Sequence, residues 1–478
     1  MSGIENPKMK DDDLDFSLEY NNFVQFHEIA KQLDIEYFLI KVAKSRAQGI
    51  TYEEKKIFDI FDDSQEKYSV LSFKEGGWGF SYGYGNDLKK IKESFVKSAK
   101  LANWTSNLSK NKFKLYELKP LKDKYAESVK INLIDVDFGE KVEFVKIEAK
   151  KAESFDPRIT NVNVGYSNHS GRLISYNSFD RYVERSSQSL KFSTVVYAKE
   201  NSVMRNGFKT YSNKGGYELM ENCRDLSIDA AKDAIELLNA KMITAGKANL
   251  IIDPLLSGTF VHEAFGHACE ADAILANDSI LQDKLGQKLA PEFVNITDGG
   301  ATPGLNGSFK YDSELVESKD TFLIKDGILN SYLHSLETAG RMGQEPTGNG
   351  RAGCLFDKPI VRMSNTFLHP GSYTIEELLQ ELKNGYLFVN WKYGYTNPGD
   401  GMFMFKAEKA YKVENSEILK DKIFIESALT GNTLEVLQKI SALSKETKRS
   451  PGTCGKNGQN AAVSDGGPYV LLKNMVVG

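Results

Sequence analysis

Two histidines and a glutamate lie close together in the segment 257–272, which reads SGTFVHEAFGHACEAD. Glu263 follows His262 directly, and His267 comes five residues after His262, so the spacing is HExxxH. In the related HExxH arrangement, two histidines four residues apart bind zinc from one face of a helix, and the glutamate acts as a base on a water molecule. These residue types therefore indicate a zinc-dependent hydrolytic site.

The five-residue separation of the histidines does not suit a regular α-helix. Each residue turns the helix by about 100°, so the second imidazole would lie roughly 140° from the first and would not point at the same ion. One extra residue in the turn, a π-bulge at Ala264–Gly266, would restore convergence, and Gly266 is placed to permit that distortion. We predict a helix that begins near Pro254, a residue suited to a first turn, and that contains this bulge.

The third protein ligand of such a site must come from elsewhere, because a catalytic zinc usually has three protein ligands and a water. Cys454 lies in the polar, glycine-rich stretch PGTCGKNGQ, whose composition does not suit a packed core thiol and whose glycines allow the backbone to approach an ion. The sequence favours Cys454 and leaves six alternatives open: Cys269, Glu270, Asp272, His334, Cys354 and His369.

Four further residues are candidates for supporting roles. Glu270 and Asp272 follow His267 by three and five positions, and either could accept the outer N–H of a zinc-bound imidazole or lie on a solvated helix surface. Asn349 and Arg351, in a glycine-rich loop, are candidates for binding substrate or stabilising an oxyanion, and the alternative for this loop is a plain turn.

The composition is that of an ordinary globular protein. The chain has 478 residues, 61 Lys plus Arg, 65 Asp plus Glu and a formal net charge of -4, so it lacks the positive field of a nucleic-acid binder. Four widely spaced cysteines without a CxxC pattern indicate a reduced compartment. The acidic N-terminus and the lack of an apolar run of about 18 residues predict a cytoplasmic protein without a membrane segment.

The elements that must position these residues change in character along the chain. We predict an α+β fold with an N-terminal α/β region, whose sheet is mixed or antiparallel, and a β-rich C-terminal domain that carries the HExxxH helix. The predicted divisions are an α/β subdomain at 1–115, a central antiparallel part with helices at 116–241, and a metallopeptidase domain at 242–478. More than half of the 39 glycines lie beyond Asp298, which favours short strands and tight turns there.

Several motifs together resemble the TldD family of zinc peptidases, which is grouped with the TldE (PmbA) proteins. The strongest are HEAFGHACEAD at 262–272 and TCGKNGQ at 453–459. GGWGFS at 76–81 looks like the N-terminal signature of the family, and PTGNGRAG at 346–353 with RMSNT at 362–366 resembles the centre of its C-terminal domain.

This resemblance implies a metallopeptidase that holds one Zn²⁺ per chain through His262, His267 and Cys454, with Glu263 as the general base. TldE-type chains characteristically lack these residues, so this chain is similar to the catalytic, TldD-type subunit. The family resemblance also implies a homodimer, or a heterodimer with a TldE/PmbA-like subunit, that encloses a chamber for unfolded or short peptides.

We therefore expect zinc-dependent hydrolysis of peptide bonds, with no nucleic-acid or membrane partner. Two alternative functions remain open. One is a noncatalytic subunit that binds a peptide or regulates a partner and has a structural metal. The other is a zinc amidohydrolase that acts on a non-peptide substrate.

Overall fold

The computed structural model describes Phe16 and residues 18–478. Contacts divide the chain into two compact units: the first extends to Ala234 and includes Ala352–Lys358, and the second comprises Ile235–Arg351 and Pro359–Gly478. The predicted divisions at 115 and 241 stay predictions. Within the described residues, no helix has the length and apolar character needed to cross a membrane.

The first unit is a mostly antiparallel sheet with helices. Its strands are β1 Tyr37–Glu53, β2 Lys56–Lys74, β3 Gly77–Tyr84, β4 Leu121–Ala126, β5 Ile159–Asn177, β6 Arg181–Glu200 and β7 Val203–Lys214. They follow the order β3-β2-β1-β5-β6-β4, with β7 also paired to β6. The helices are α1 Tyr20–Val24, α2 Phe26–Gln32, α3 Leu88–Leu108, α4 Phe138–Glu153 and α5 Leu226–Glu236. This agrees with the predicted N-terminal α/β region.

The GGWGFS motif has a packing role in this unit. A Cβ on Gly77 would lie 2.1 Å from the backbone nitrogen of Ser106, and one on Gly79 would lie 1.9 Å from the carbonyl oxygen of Ser98. Both contacts are with α3, so the two glycines allow this helix to lie directly against β3.

The second unit is β-rich. Its strands are β8 Lys241–Met242, β9 Gly246–Ile252, β10 Ile296–Asp298, β11 Thr321–Lys325, β12 Ile328–Leu329, β13 Gly350–Arg351, β14 Ile360–Val361, β15 Asn365–Leu368, β16 Gly385–Asn397, β17 Met402–Glu414, β18 Glu417–Ile425, β19 Ala428–Asn432, β20 Ile440–Lys456 and β21 Gln459–Val477. The helices are α6 Pro254–Phe260, α7 Ala271–Leu275, α8 Leu336–Met342, α9 Ile375–Leu382 and α10 Thr433–Gln438.

The strand β21 organises this unit, because it pairs with β9, β15, β19 and β20. β21 pairs in parallel with β15, and β15 pairs in antiparallel fashion with β10 on its other side. Three strands from distant parts of the chain therefore lie side by side. Residues from α6 pack on this sheet together with the apolar side chains of β9 and β21. The predicted α+β class with a β-rich C-terminal domain is confirmed.

The expected short strands are only part of this unit. β11 to β15 and β19 have two to five residues, whereas β16, β17, β20 and β21 have 13 to 19 residues. The cationic run 445–449 has the polar composition of a solvated loop, yet it belongs to β20. The run is exposed, and the β20–β21 pairing is bulged between Leu443 and Thr447, so a polar strand resembles a loop in composition.

Candidate metal centre

The HExxxH segment has the backbone conformation that is needed to bring its two imidazoles together. Asp253 caps α6 by accepting a hydrogen bond from the backbone N–H of Leu256 at 2.9 Å, and Pro254 occupies the first turn. The helix then continues as a π-helix over Val261–Gly266 and a 3-10 turn over His267–Cys269. The predicted π distortion is confirmed, and it brings the two imidazole centroids within 5.5 Å of each other.

Gly266 supports this geometry for a reason that differs from the predicted one. Its backbone angles, φ -60° and ψ -44°, are ordinary helical values that any residue adopts. A Cβ at this position, however, would lie 2.1 Å from the Sδ of Met363. Gly266 therefore provides room for a neighbouring side chain.

Cys454 completes a group of three ligand atoms. It lies near the end of β20, paired with Ala461 of β21. Its Sγ is 3.4 Å from the Nε2 of His267, although 187 positions separate the two residues. One ligand atom from each of His262, His267 and Cys454 lies within 4.8 Å of the others.

This donor set fits a zinc ion. Zn–N and Zn–S distances of about 2.0–2.1 and 2.3 Å in a tetrahedral site place a nitrogen and a sulfur ligand about 3.5 Å apart. The separation of 3.4 Å between Cys454 and His267 agrees with that value. Among the described residues, Cys454 is the third member of this group, and the six alternative candidates for the third ligand are not part of it.

The surroundings hold Cys454 as a thiolate, the form that binds metals. Burial alone would raise the pKa of this thiol, but hydrogen bonds and charge from His262 and His267 outweigh burial and lower the pKa to about 5. Burial disfavours the charged form of His262 as well, and here the hydrogen bond with Cys454 dominates and raises the imidazole pKa to about 9.

A carboxylate fixes the orientation of His267 directly. The Nδ1 of His267 lies 2.9 Å from the Oε2 of Glu270, so Nδ1–H is donated to Glu270 and Nε2 is left for an ion. Glu270 is buried and also pairs with the Lys456 ammonium at 3.1 Å. Lys456 in turn binds Asp272 at 2.7 Å, so Asp272 reaches the histidine only through the lysine and Glu270.

His262 is held through a hydroxyl group. Thr366 donates its hydroxyl hydrogen to Asp298 at 2.9 Å, which leaves its oxygen to accept Nδ1–H of His262 at 3.4 Å. Asp298 is fully buried and accepts further hydrogen bonds from the side chain of Asn349 and from both the backbone N–H and the hydroxyl of Ser364. The sequence reasoning did not identify Asp298, since no spacing connects it with the histidines.

The two oxyanion candidates have other contacts. Asn349 is buried, and its amide nitrogen donates to Asp298 at 2.8 Å and to the carbonyl oxygen of Arg362 at 3.0 Å. Arg351 donates to the carbonyl oxygens of Met363 and Ala462. Both residues thus brace the strands around the centre.

Glu263, by contrast, is 32% exposed, and its Oε2 lies 3.8 Å from the Nε2 of His267.

Sequence comparison connects this centre with known proteins. The model of the PmbA/TldA metallopeptidase C-terminal domain matches residues 245–478, and that of the central domain matches residues 131–240. A metalloprotease of Methanocaldococcus jannaschii is 37% identical over 448 residues, which cover 94% of this chain and 98% of that protein. The chain belongs to the TldD/PmbA metallopeptidase family.

Two further similarities extend this result. A protein of Saccharolobus solfataricus named zinc metalloprotease TldD homolog is 32% identical over 341 residues, which cover 71% of this chain and 76% of that protein. The crystal structure of TldE from Thermococcus kodakarensis matches with a TM-score of 0.76 at 20% identity, over 95% of this chain and 99% of that one. The structural match shows a shared fold.

Proposed function

We propose that this protein is a TldD-type zinc peptidase that hydrolyses unfolded or short peptides. The observation that carries the proposal is the convergence of one atom each from His262, His267 and Cys454 beside the partly exposed carboxylate of Glu263. The names of the relatives support the same activity. One zinc ion per chain is the stoichiometry that this donor set favours.

The roles of the residues follow from their chemistry. His262, His267 and Cys454 would hold the ion, which when bound supplies Lewis acidity toward a water molecule and a peptide carbonyl. Glu263 accepts a proton from the attacking water and delivers it to the departing amine nitrogen. Glu270 and the Thr366–Asp298 pair keep both imidazoles in the tautomer that ligation needs.

Replacing Glu263 by glutamine tests the proposal. Glu263→Gln keeps the shape of the side chain but removes the base, so kcat for an unstructured peptide should fall about 10²- to 10⁴-fold. Zinc content, measured by atomic absorption, should stay at one ion per chain. Glu435→Gln, on the exposed side of α10, is the matched control and should retain wild-type activity. Hydrolysis at the wild-type rate in Glu263→Gln would remove Glu263 from the mechanism.

We further propose that the active form is a dimer, either of this chain or with a TldE/PmbA-like subunit. The mass of the zinc-loaded chain purified alone, measured by light scattering together with peptidase activity, distinguishes these forms. An active dimer supports self-association. An inactive chain that becomes active when a TldE-like protein is added supports the heterodimer, whereas an active monomer contradicts both.

A further inference from the structure

A cavity of about 260 Å³ in the second unit borders the metal centre. Its lining includes Thr366, which contacts His262, and Asp465, which is near enough to the charges of His262, Glu263 and Cys454 to interact with them electrostatically. The cavity is slightly smaller than the about 300–1,000 Å³ typical of pockets for drug-sized ligands, so its size suits one residue of a peptide.

Arg449 is the cation at this cavity, and the sheet positions it. Arg449 is opposite Gly466 in the β20–β21 pairing, and Gly466 is opposite Phe367 in the β15–β21 pairing. A Cβ on Gly466 would lie 3.0 Å from both Arg449 Cγ and Phe367 Cε2. The missing side chain therefore allows the guanidinium group to stack on the Phe367 ring, with its carbon 4.6 Å from the ring centroid.

Stacking leaves the hydrogen-bonding edge of this guanidinium unused. Arg449 is exposed and, among the described residues, forms no ion pair or hydrogen bond. A planar guanidinium held in this way is suited to bidentate binding of a carboxylate. Burial lowers the pKa of the neighbouring His369, which therefore adds no positive charge at neutral pH. Arg449 is thus the group in the cavity lining that would bind an anion.

A buried acceptor lies in the same lining. Asn365 is 8% exposed, and its amide nitrogen donates to the carbonyl oxygen of Gly299 and to the hydroxyl of Ser308. Its Oδ1 has no hydrogen-bond partner among the described residues. Buried acceptors are normally satisfied, so this oxygen indicates a missing N–H donor. A peptide residue provides both an N–H group and, when acidic or terminal, a carboxylate.

We propose that this cavity is a substrate subsite that binds a carboxylate-bearing residue, with the carboxylate on Arg449 and an N–H group donated to Asn365 Oδ1. The inference rests on the proposed peptidase function. The carboxylate comes from an acidic side chain or from a free C-terminus. Asp320, an exposed acid in the same lining, opposes the anion and limits its affinity.

The test measures binding instead of turnover, so that it does not depend on catalysis. Fluorescently labelled, unstructured peptides are titrated against zinc-loaded Glu263→Gln protein and followed by anisotropy. Four peptides of one sequence carry either Glu or Gln at a single position and either a free or an amidated C-terminus. The pair whose Kd differs most identifies the source of the carboxylate.

Arg449→Ala should weaken binding of the preferred carboxylate peptide about tenfold and leave its neutral counterpart unchanged. Asp320→Asn should strengthen binding of the carboxylate peptide, because it removes an opposing negative charge. Lys448→Ala, one residue away on β20, removes the same charge and should have little effect. The subsite proposal would be overturned if Arg449→Ala weakened binding of both peptides equally. It would also be overturned if Lys448→Ala weakened binding of the carboxylate peptide as much as Arg449→Ala does. If wild-type protein hydrolyses none of the peptides while the Arg449 dependence persists, the peptidase proposal fails and the carboxylate site stands.

Discussion

The two histidines of the metal centre are supported in contrasting ways. His267 donates directly to the Glu270 carboxylate three residues further on, and this acid is also paired with Lys456. His262 reaches a carboxylate only through the hydroxyl of Thr366, and that carboxylate, Asp298, lies on a separate strand. The support of His267 is charged and comes from a residue close in sequence. The support of His262 is a neutral hydroxyl, and it forms only when the strands of the sheet have paired.

This difference predicts unequal contributions to zinc binding. A carboxylate in direct contact raises the basicity of an imidazole ligand, whereas a hydroxyl mainly orients the ring. Glu270 is kept ionised despite burial, because the charges of His267 and then Lys456 outweigh the burial effect and lower its pKa. The His267 support should therefore be the more sensitive of the two.

The largest effect is expected for Glu270→Gln. The amide keeps the size of the side chain but removes the negative charge from His267, so zinc affinity should fall about 100-fold, the upper end for residues that support a ligand. Competition with a chromophoric chelator measures this, and Glu435→Gln serves as the exposed control. A loss of zinc affinity below about threefold would contradict the proposal that the negative charge next to His267 is important for zinc binding.

Thr366→Val should have a smaller effect. The valine fills the same space without the hydroxyl, so His262 loses its acceptor while Asp298 keeps three of its four donor groups. Zinc affinity should fall about tenfold, the lower end of the same range. Thr366→Ser retains the hydroxyl and should bind zinc nearly as well as wild type. A larger loss in Thr366→Ser than in Thr366→Val would show that the methyl group matters and the hydroxyl does not.

The same contrast explains how far the sequence could predict the site. His262, Glu263 and His267 fall within one helical stretch, and Glu270 follows it directly, so spacing and helix geometry sufficed to predict the π distortion. Cys454 was selected from several candidates by its polar, glycine-rich surroundings and by the family resemblance. Asp298 could not be found in this way, since its contact with Thr366 exists only when β10 and β15 pair.

Glycine was the least dependable guide. Its abundance after Asp298 predicted short strands, which is right for β11 to β15 and β19, but several of these glycines are in long strands. Gly466 lies within β21, where a Cβ would meet Phe367 and Arg449. Gly266, which precedes this region, makes room for Met363. The reason for each glycine is a neighbour from a distant part of the sequence, and local composition does not contain that information.

Lys456→Met should have the smallest effect on zinc affinity, and the informative result is whether the affinity rises or falls. The Lys456 ammonium lies 3.1 Å from Glu270 and 2.7 Å from Asp272, so its removal leaves a buried carboxylate with less compensation. Folding stability should fall by about 1–3 kcal/mol, measured by chemical denaturation of the zinc-free protein. Zinc affinity should instead rise about threefold, because a cation near a divalent ion has been removed. A joint loss of stability and affinity would mean that Lys456 orients Glu270, and the charged support of His267 would then be a three-residue unit.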